Sequence, residues 1–237
     1  MRKHWGRSVL AGAAFCVCLF ATAIPPAWAG RNKEHLDLSQ ILSRMSDSSK
    51  HLKTISADLE YTKVTVLVND KSTEAGRMFF RNSKSPEILI DFNVPAAKVI
   101  LFKKDKAEIY LPKINQIQEY DLSQHASMVQ QFLLLGFGTD AKELEKMYKM
   151  NYLREEQLGG DMTAVLELIP RKESVAAQLS KVHLWVSEES WLPVQQKFFE
   201  AGGDYSIARY SAVKVNRFIP SSVFRIHAAK GAKRLKM

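Results

Sequence analysis

The chain has 237 residues, of which 46% are hydrophobic and 25% charged, and its 34 basic and 25 acidic residues give a net charge of +9. Both cysteines, Cys16 and Cys18, lie within the first 20 residues, so the remainder excludes disulfides, thiolate metal sites and cysteine nucleophiles. The charge is moderate and its basic residues are dispersed, which argues against a nucleic-acid-binding protein.

Residues 1–29 have the layout of a secretory signal peptide. Three basic residues among the first seven precede an uncharged stretch from 9 to 24, and Ala27-Trp28-Ala29 places small residues where signal peptidase reads them. The apolar stretch is shorter than the roughly 20 residues of a membrane-spanning helix, which disfavours an uncleaved anchor. We expect cleavage before Gly30, which removes three of the 34 basic residues and leaves a net charge of +6.

The first element of the exported chain is predicted to be an amphipathic helix over about 37–50. Apolar residues recur there at helical spacing with polar residues between them. The residues from Ile55 onwards alternate as a strand, and the apolar phase then shifts to Val64, Val66 and Val68. Such a slip predicts a bulge or a sharp bend, followed by a turn at 69–71.

The rest of the chain is predicted to be mostly strand. Connections this short permit only antiparallel pairing, because a parallel crossover needs a dozen residues or more. We expect about ten strands in one sheet, and a sheet of that size tends to curl. After the first strand, the predicted strands span 76–80, 88–92, 98–102, 107–111, 116–120, 151–155, 163–169, 181–187, 193–200, 206–216 and, less regularly, 223–226.

A helical insert separates the two sets of strands. Helical spacing at 123–135 and a capping-box pattern at Asp140 predict two short helices joined by a glycine hinge, with the second helix reaching about Tyr148. The segment 132–137 has no polar side chain. A half-buried surface helix needs apolar residues on one face only, so this segment is more apolar than such a helix requires. Gly136-Phe137-Gly138 also fits a loose dinucleotide fingerprint, but that pattern has meaning only within a βαβ unit.

The sequence offers no pattern typical of an enzyme or a metal site. Five histidines follow the signal, and none forms the closely spaced pair that a zinc site uses. No nucleophile elbow or phosphate loop is present. We therefore expect no catalytic residues, no bound metal and no cofactor, although a small hydrolase remains a distant alternative.

Apolar residues are in surplus for a simple sheet. The alternating strands already supply one inward face, and the first helix and the segment 132–137 add two further apolar surfaces. Either the helices fill the concave side of the sheet, or they form a lid over a cavity that accepts apolar ligands. The pattern leaves both possibilities open.

Several local stretches, in this order, resemble the LolA type of periplasmic lipoprotein carrier. The resemblance covers nearly all of the chain after the signal. The stretches are Ser85-Pro86 leading to Phe92, Ala107 to Pro112, Trp191-Leu192-Pro193-Val194 leading to Phe198-Phe199, and Asn216 to Phe224. One departure is Ser85. The family's carriers have an arginine at this position, which helps to hold the lid through hydrogen bonds to the backbone of the lid. That role is not carried over.

The resemblance implies a mainly β fold with some helix, an incomplete and strongly curved antiparallel β-barrel with a helical lid. It implies a single domain at 30–226. From its charge and its position we expect the basic tail at 227–237 to be solvated and disordered. The implied function is a monomeric periplasmic carrier that takes acyl chains of lipoproteins from an inner-membrane exporter to an outer-membrane acceptor. The alternatives are a carrier of another envelope lipid and an envelope sensor that binds a protein partner.

For a carrier, the predicted ligand-binding residues are apolar positions of the strands and of the lid. On the strands they are Ile88, Ile90, Phe92, Val99, Leu101 and Ile109, and on the lid Leu38, Ile41, Met45, Phe132 and Leu135. The pattern leaves open which face of the strands points inward. The opposite choice would replace Ile88, Ile90 and Phe92 by Leu89 and its neighbours.

Overall fold

The structure, a computed structural model, describes residues 36–123, 135–137 and 140–237. The predicted cleavage site and Phe132 lie outside these ranges. The first helix, α1, spans Leu38–Lys50 and confirms the predicted amphipathic helix. Its start is fixed by a capping box. The backbone N–H of Gln40 donates to the Asp37 carboxylate at 2.8 Å, and the backbone N–H of Asp37 donates to the side-chain oxygen of Gln40 at 2.9 Å.

Two further short helices and twelve strands follow within the described part of the chain. The helices are α2 (Ala141–Met147) and α3 (Glu173–Ala176). The strands are β1 (Thr54–Thr65), β2 (Asp70–Arg81), β3 (Glu87–Val94), β4 (Lys98–Lys103), β5 (Lys106–Leu111), β6 (Gln116–Asp121), β7 (Tyr148–Leu158), β8 (Asp161–Pro170), β9 (Leu179–Ser187), β10 (Pro193–Glu200), β11 (Tyr205–Val215) and β12 (Lys233–Lys236).

All twelve strands form one sheet in the order β12-β6-β5-β4-β3-β2-β1-β11-β10-β9-β8-β7. The strands β1 to β6 make one meander and β7 to β11 make a second, and the pairing of β1 with β11 joins them. Every pair is antiparallel except β12 with β6. The sheet is curved and open, as predicted, and it contains slightly more strands than expected.

The two faces of this sheet are distinguished by α1. Its buried residues Ile41, Leu42 and Met45 pack on one face, which we call the inner face. They form a continuous cluster, the inner core, with alternate side chains of β7, β8 and β9 and with Leu135 and Leu144. Burying apolar side chains of both helix and sheet in this way is the main source of stability of such a layer.

The opposite, outer face is covered by the segment between β11 and β12. The prediction of a strand at 223–226 is wrong, because these residues form turns. Instead Ile219 and Phe224 pack against Leu89 and Leu101 in an outer cluster. The guanidinium of Arg81 lies 4.5 Å from the centre of the Phe224 ring. The outer face of the sheet is therefore covered at β3 and β4, and these two strands carry apolar side chains on both faces.

The predicted bulge near Val64 is wrong, and the phase shift has another cause. The pairing of β1 with β2 is regular as far as Thr65 and Asp70, and the only register shift of β1 lies against β11, between Ser56 and Asp58. The three apolar residues Val66, Leu67 and Val68 form the hairpin tip, where they are 53%, 93% and 67% exposed. The apolar phase changes at these residues because the strand β1 ends at Thr65 and they belong to the turn that follows it.

The basic tail does not remain unstructured, in contrast to the expectation. Residues 233–236 pair in parallel with β6 as β12, and their side chains stay exposed. Arg234 forms ion pairs with Glu108 and Glu119, which lie on β5 and β6. Hydrogen bonding to the free edge of β6 gives the tail partners that its composition alone does not reveal.

Candidate functional site

A cavity of about 790 Å³ lies on the inner face beside the inner core. Its floor is formed by side chains of β1, β2, β3, β4, β10 and β11 that point to the inner face. The side chains are mostly aliphatic and aromatic, as in typical small-molecule pockets. The cavity is lined by Leu59, Tyr61, Glu74, Met78, Ile90, Phe92, Lys98, Ile100, Phe102, Ala177, Gln178, Leu179, Gln196, Phe198, Glu200, Ala201, Gly202, Ser206, Ala208 and Tyr210.

A polar network closes the buried end of the cavity. The Tyr210 hydroxyl donates to the Gln196 side-chain oxygen at 3.0 Å, and the Gln196 amide nitrogen donates to the Leu135 carbonyl at 2.7 Å. Burial raises the pKa of the Tyr210 phenol well above its ordinary value, so the hydroxyl keeps the proton that it donates. Gln196 thus ties the described part of the insert, 135–137, to the sheet.

The backbone of that segment passes very close to the sheet. Gly136 has a φ of +82°, and a Cβ atom there would lie 2.6 Å from Cγ of Pro193 and 3.1 Å from a Leu184 methyl. Only glycine combines this conformation with this approach. The next residue, Phe137, is buried and packs edge-on against Tyr210, with 5.0 Å between the ring centres. Residues 135–137 therefore join two buried groups, with Leu135 in the inner core and Phe137 beside Tyr210.

One ion pair lies in the cavity wall, which is mostly apolar but also includes Gln178, Gln196, Glu200 and Ser206. The Lys98 ammonium lies 2.6 and 2.8 Å from the two carboxylate oxygens of Glu74, and 4.9 Å from the centre of the Phe92 ring. The side chains of Lys98 and Glu74 are 25% and 29% exposed, which places them between the buried floor and solvent. Glu200 lies on the same wall.

The structure divides the predicted ligand-binding residues among three places. Ile90 and Phe92 line the cavity. Ile88 is buried in one cluster with Ile90 and Phe92 but does not line the cavity. Ile109 lies next to Ile100 in the sheet. The inner core takes Leu38, Ile41, Met45 and Leu135, which therefore fill the inner face instead of covering a cavity.

The prediction for β4 is corrected. Val99 and Leu101 point to the outer cluster, and their neighbours Ile100 and Phe102 line the cavity. β4 is apolar at both parities, because one of its faces packs in the outer cluster and the other lines the cavity, so its alternation carries little information about direction. Sequence reasoning also missed Gln196 and Lys98, since a single polar residue in a strand gives no signal of what it faces.

Within the ranges that the structure describes, no group of three or more His, Cys, Asp or Glu side chains is placed to hold a metal ion. Across the same residues, no helix has the length and the apolar character needed to span a bilayer.

The topology, an open curved antiparallel sheet with a helix on its inner face, defines the LolA-like class of fold predicted from the sequence. A family model described as "Uncharacterized protein" matches residues 89–219. This is more than half of the chain, and the protein belongs to that family. No curated protein matches the sequence.

Solved structures resemble the chain at low sequence identity. An uncharacterized conserved protein from Thermus thermophilus is 11% identical with a TM-score of 0.54, over 84% of this chain and 98% of that one. MucB is 12% identical with a TM-score of 0.52, over 82% of this chain and 63% of MucB. A LolA superfamily protein from Nitrosomonas europaea is 16% identical with a TM-score of 0.38, over 81% and 98%. At these identities the first two likenesses concern the fold alone.

Proposed function

We propose that the protein is a periplasmic carrier that binds acyl chains of lipoproteins in the inner-face cavity and conveys them towards the outer membrane. The observation that supports this most directly is the apolar cavity of about 790 Å³. At roughly 30 Å³ for a group the size of a water molecule, a 16-carbon chain needs on the order of 480 Å³. One acyl chain fits with space to spare.

The lining suits a ligand that must be both held and released. Each methylene removed from water contributes about 0.8 kcal/mol, so ten of them contribute about 8 kcal/mol before the entropic cost of binding. This attraction is not directional, and no single contact has to be broken for release. Ile90 and Phe92 remain proposed ligand contacts, now joined by Met78, Ile100 and Phe102.

The same proposal places a signal-directed export step before the cargo is loaded. Cleavage before Gly30, an inner-membrane exporter as donor and an outer-membrane acceptor are parts of it that follow from the resemblance. Phe132 remains a proposed lid contact.

The test is to extract purified full-length protein with organic solvent and identify the lipids by mass spectrometry. Acyl lipid should be found in the natural protein and strongly reduced in Ile100→Glu, which places a carboxylate on the cavity floor where the apolar chain would lie. The matched control is Val99→Glu, because Val99 is the neighbouring residue on the outer face and its replacement leaves the cavity lining unchanged. A folded natural protein without lipid, which also fails to bind palmitate, would contradict the proposal.

MucB favours one second candidate. It shares the fold with a TM-score above 0.5, and MucB of Pseudomonas aeruginosa has been solved in complex with MucA. A protein-binding module of this kind would use its surface and would retain the cavity without a ligand. The lipid extraction separates the two candidates, because a module of that type yields no lipid, with or without the Ile100→Glu change.

A further inference from the structure

We propose that the cavity selects an amphiphile with a single acyl chain and an anionic head group, and that Lys98 binds the head. This rests on the proposed function and narrows its ligand class. The observation that carries it is the ion pair of Lys98 with Glu74 in the cavity wall, beside the apolar side chains of Phe92, Ile90 and Ile100.

The ion pair is out of place as a structural support. Two charges taken partly out of water lose hydration, and well-packed apolar residues at the same positions stabilise a fold as well or better. Strand β4 pairs with β3 from Lys98 to Lys103, and β2 pairs with β3 from Ala75 to Arg81, with a register shift between Ala75 and Gly76. These backbone ladders hold the three strands together without a side-chain contact between Glu74 and Lys98.

The geometry indicates what Lys98 is suited to bind. Its ammonium holds both oxygens of one carboxylate, at 2.6 and 2.8 Å, so Glu74 occupies the place that the carboxylate or phosphate of a ligand would take. A lysine ammonium has three donors, and the Glu74 contacts use two. The long stem of lysine allows the ammonium to turn from one acceptor to another, while the Phe92 ring keeps it near the wall.

The position along the cavity fits a head group. From Lys98, the adjoining residues Phe92, Ile90 and Ile100 lead along the apolar floor towards Met78. A chain on this floor would place its polar end beside Lys98 and its apolar end against the strands. The volume of about 790 Å³ admits one 16-carbon chain but is too small for two, which at roughly 30 Å³ per group would need on the order of 960 Å³.

The experiment compares three probes with the same 16-carbon chain: palmitate, hexadecanol and hexadecylamine. Binding to the natural full-length protein is measured by displacement of a fluorescent fatty-acid analogue. Palmitate should bind about tenfold more tightly than hexadecanol, as expected for one charge-assisted contact, and hexadecylamine should bind most weakly. The affinity of hexadecyl phosphate is then compared with that of palmitate. The tighter of the two shows whether the site prefers a phosphate or a carboxylate head group.

The variants separate head-group binding from a structural role. Lys98→Met should lower palmitate affinity about tenfold and leave hexadecanol within about twofold. Glu74→Gln should raise palmitate affinity, because it removes the competing carboxylate. Lys103→Met is the control: it removes the same charge from the same strand, but Lys103 pairs with Glu87, away from the cavity.

Two outcomes would overturn the inference. One is equal affinity of the natural protein for palmitate and hexadecanol, and the other is tightest binding of hexadecylamine, which would make Glu74 the recognition group. In either case hexadecanol binding still supports an acyl-chain cavity. If none of the three probes binds, the proposed function itself has failed.

Discussion

The inner face of the sheet has two halves that differ in how they are filled. Under α1, side chains of β7, β8 and β9 meet the helix and Leu135 in a packed core whose central residues have no exposure. Across β1 to β4, similar apolar side chains line a cavity. The same kind of strand sequence supports both, so the helix decides whether a half is filled.

The open half obtains its stability from the other side of the sheet. Outside β3 and β4, Phe224 and Ile219 pack on Leu89 and Leu101, and Glu87 is held by Arg81 and Lys103. A sheet can leave one face unpacked when the opposite face is covered. This division suggests that mutations can remove stability and ligand binding separately.

The largest expected effect comes from the outer face of the open half. Phe224→Ala should lower the free energy of unfolding by about 3–5 kcal/mol, the range for removal of a fully buried phenylalanine. Urea unfolding measures it, and Phe218→Ala is the control, because Phe218 lies on the same segment and is 90% exposed. Loss of less than about 1 kcal/mol would mean that the outer cluster does not support the open half.

A matched pair of aliphatic truncations compares the two halves directly. Leu166 is fully buried in the inner core, so Leu166→Ala should cost about 2–5 kcal/mol and leave palmitate affinity unchanged. Ile100 borders space that is already empty, so Ile100→Ala should cost only about 1 kcal/mol, its lost transfer free energy, and should weaken palmitate binding. Equal losses of stability would contradict the distinction between a filled and an open half.

The smallest expected effect depends on pH. Burial opposes ionisation of Glu87, but hydrogen bonds from Lys103 and Arg81 outweigh it and hold the pKa of this carboxyl below its usual range. A lowered folded-state pKa contributes stability that is complete above the ordinary value of about 4.3 and is lost as pH falls through the folded-state pKa.

Glu87→Gln should therefore lower the free energy of unfolding by about 1–3 kcal/mol at pH 7, as for a hydrogen bond to a charged group. The gap between the variant and the natural protein should narrow when urea unfolding is repeated below pH 4. Asp91→Asn is a suitable control, since Asp91 is an exposed carboxylate on the same strand. A gap that is constant from pH 7 to pH 3 would contradict the ionic origin of the effect.

The sequence predicted the elements of this fold better than their faces. The helix α1 follows from its apolar spacing, and the antiparallel meanders follow from the short connections. Direction could not be read where both faces are apolar: on β4, Val99 and Leu101 are as apolar as Ile100 and Phe102, and the outer cover by Phe224 comes from more than 100 residues away.

The candidate site was predicted only in part for a related reason. Ile90 and Phe92 follow from strand alternation, but Leu38, Ile41 and Met45 show the same helical pattern whether they cover a cavity or fill a core. The distinction depends on how far the helix lies from the sheet, which is a tertiary property. Gln196 and Lys98 gain their significance only from Leu135 and Glu74, which lie 61 and 24 residues away.

An open sheet also has edges, and the strand β12 affects how one edge of this sheet can associate with other copies of the protein. An uncovered strand such as β6 could add a strand from another molecule and begin a polymer. Here β12 occupies that edge and presents Lys233, Arg234 and Lys236 to solvent. Like charges on the new edge repel a second copy, so growth of a fibre from this end of the sheet should be disfavoured, where an unguarded β6 edge would promote it.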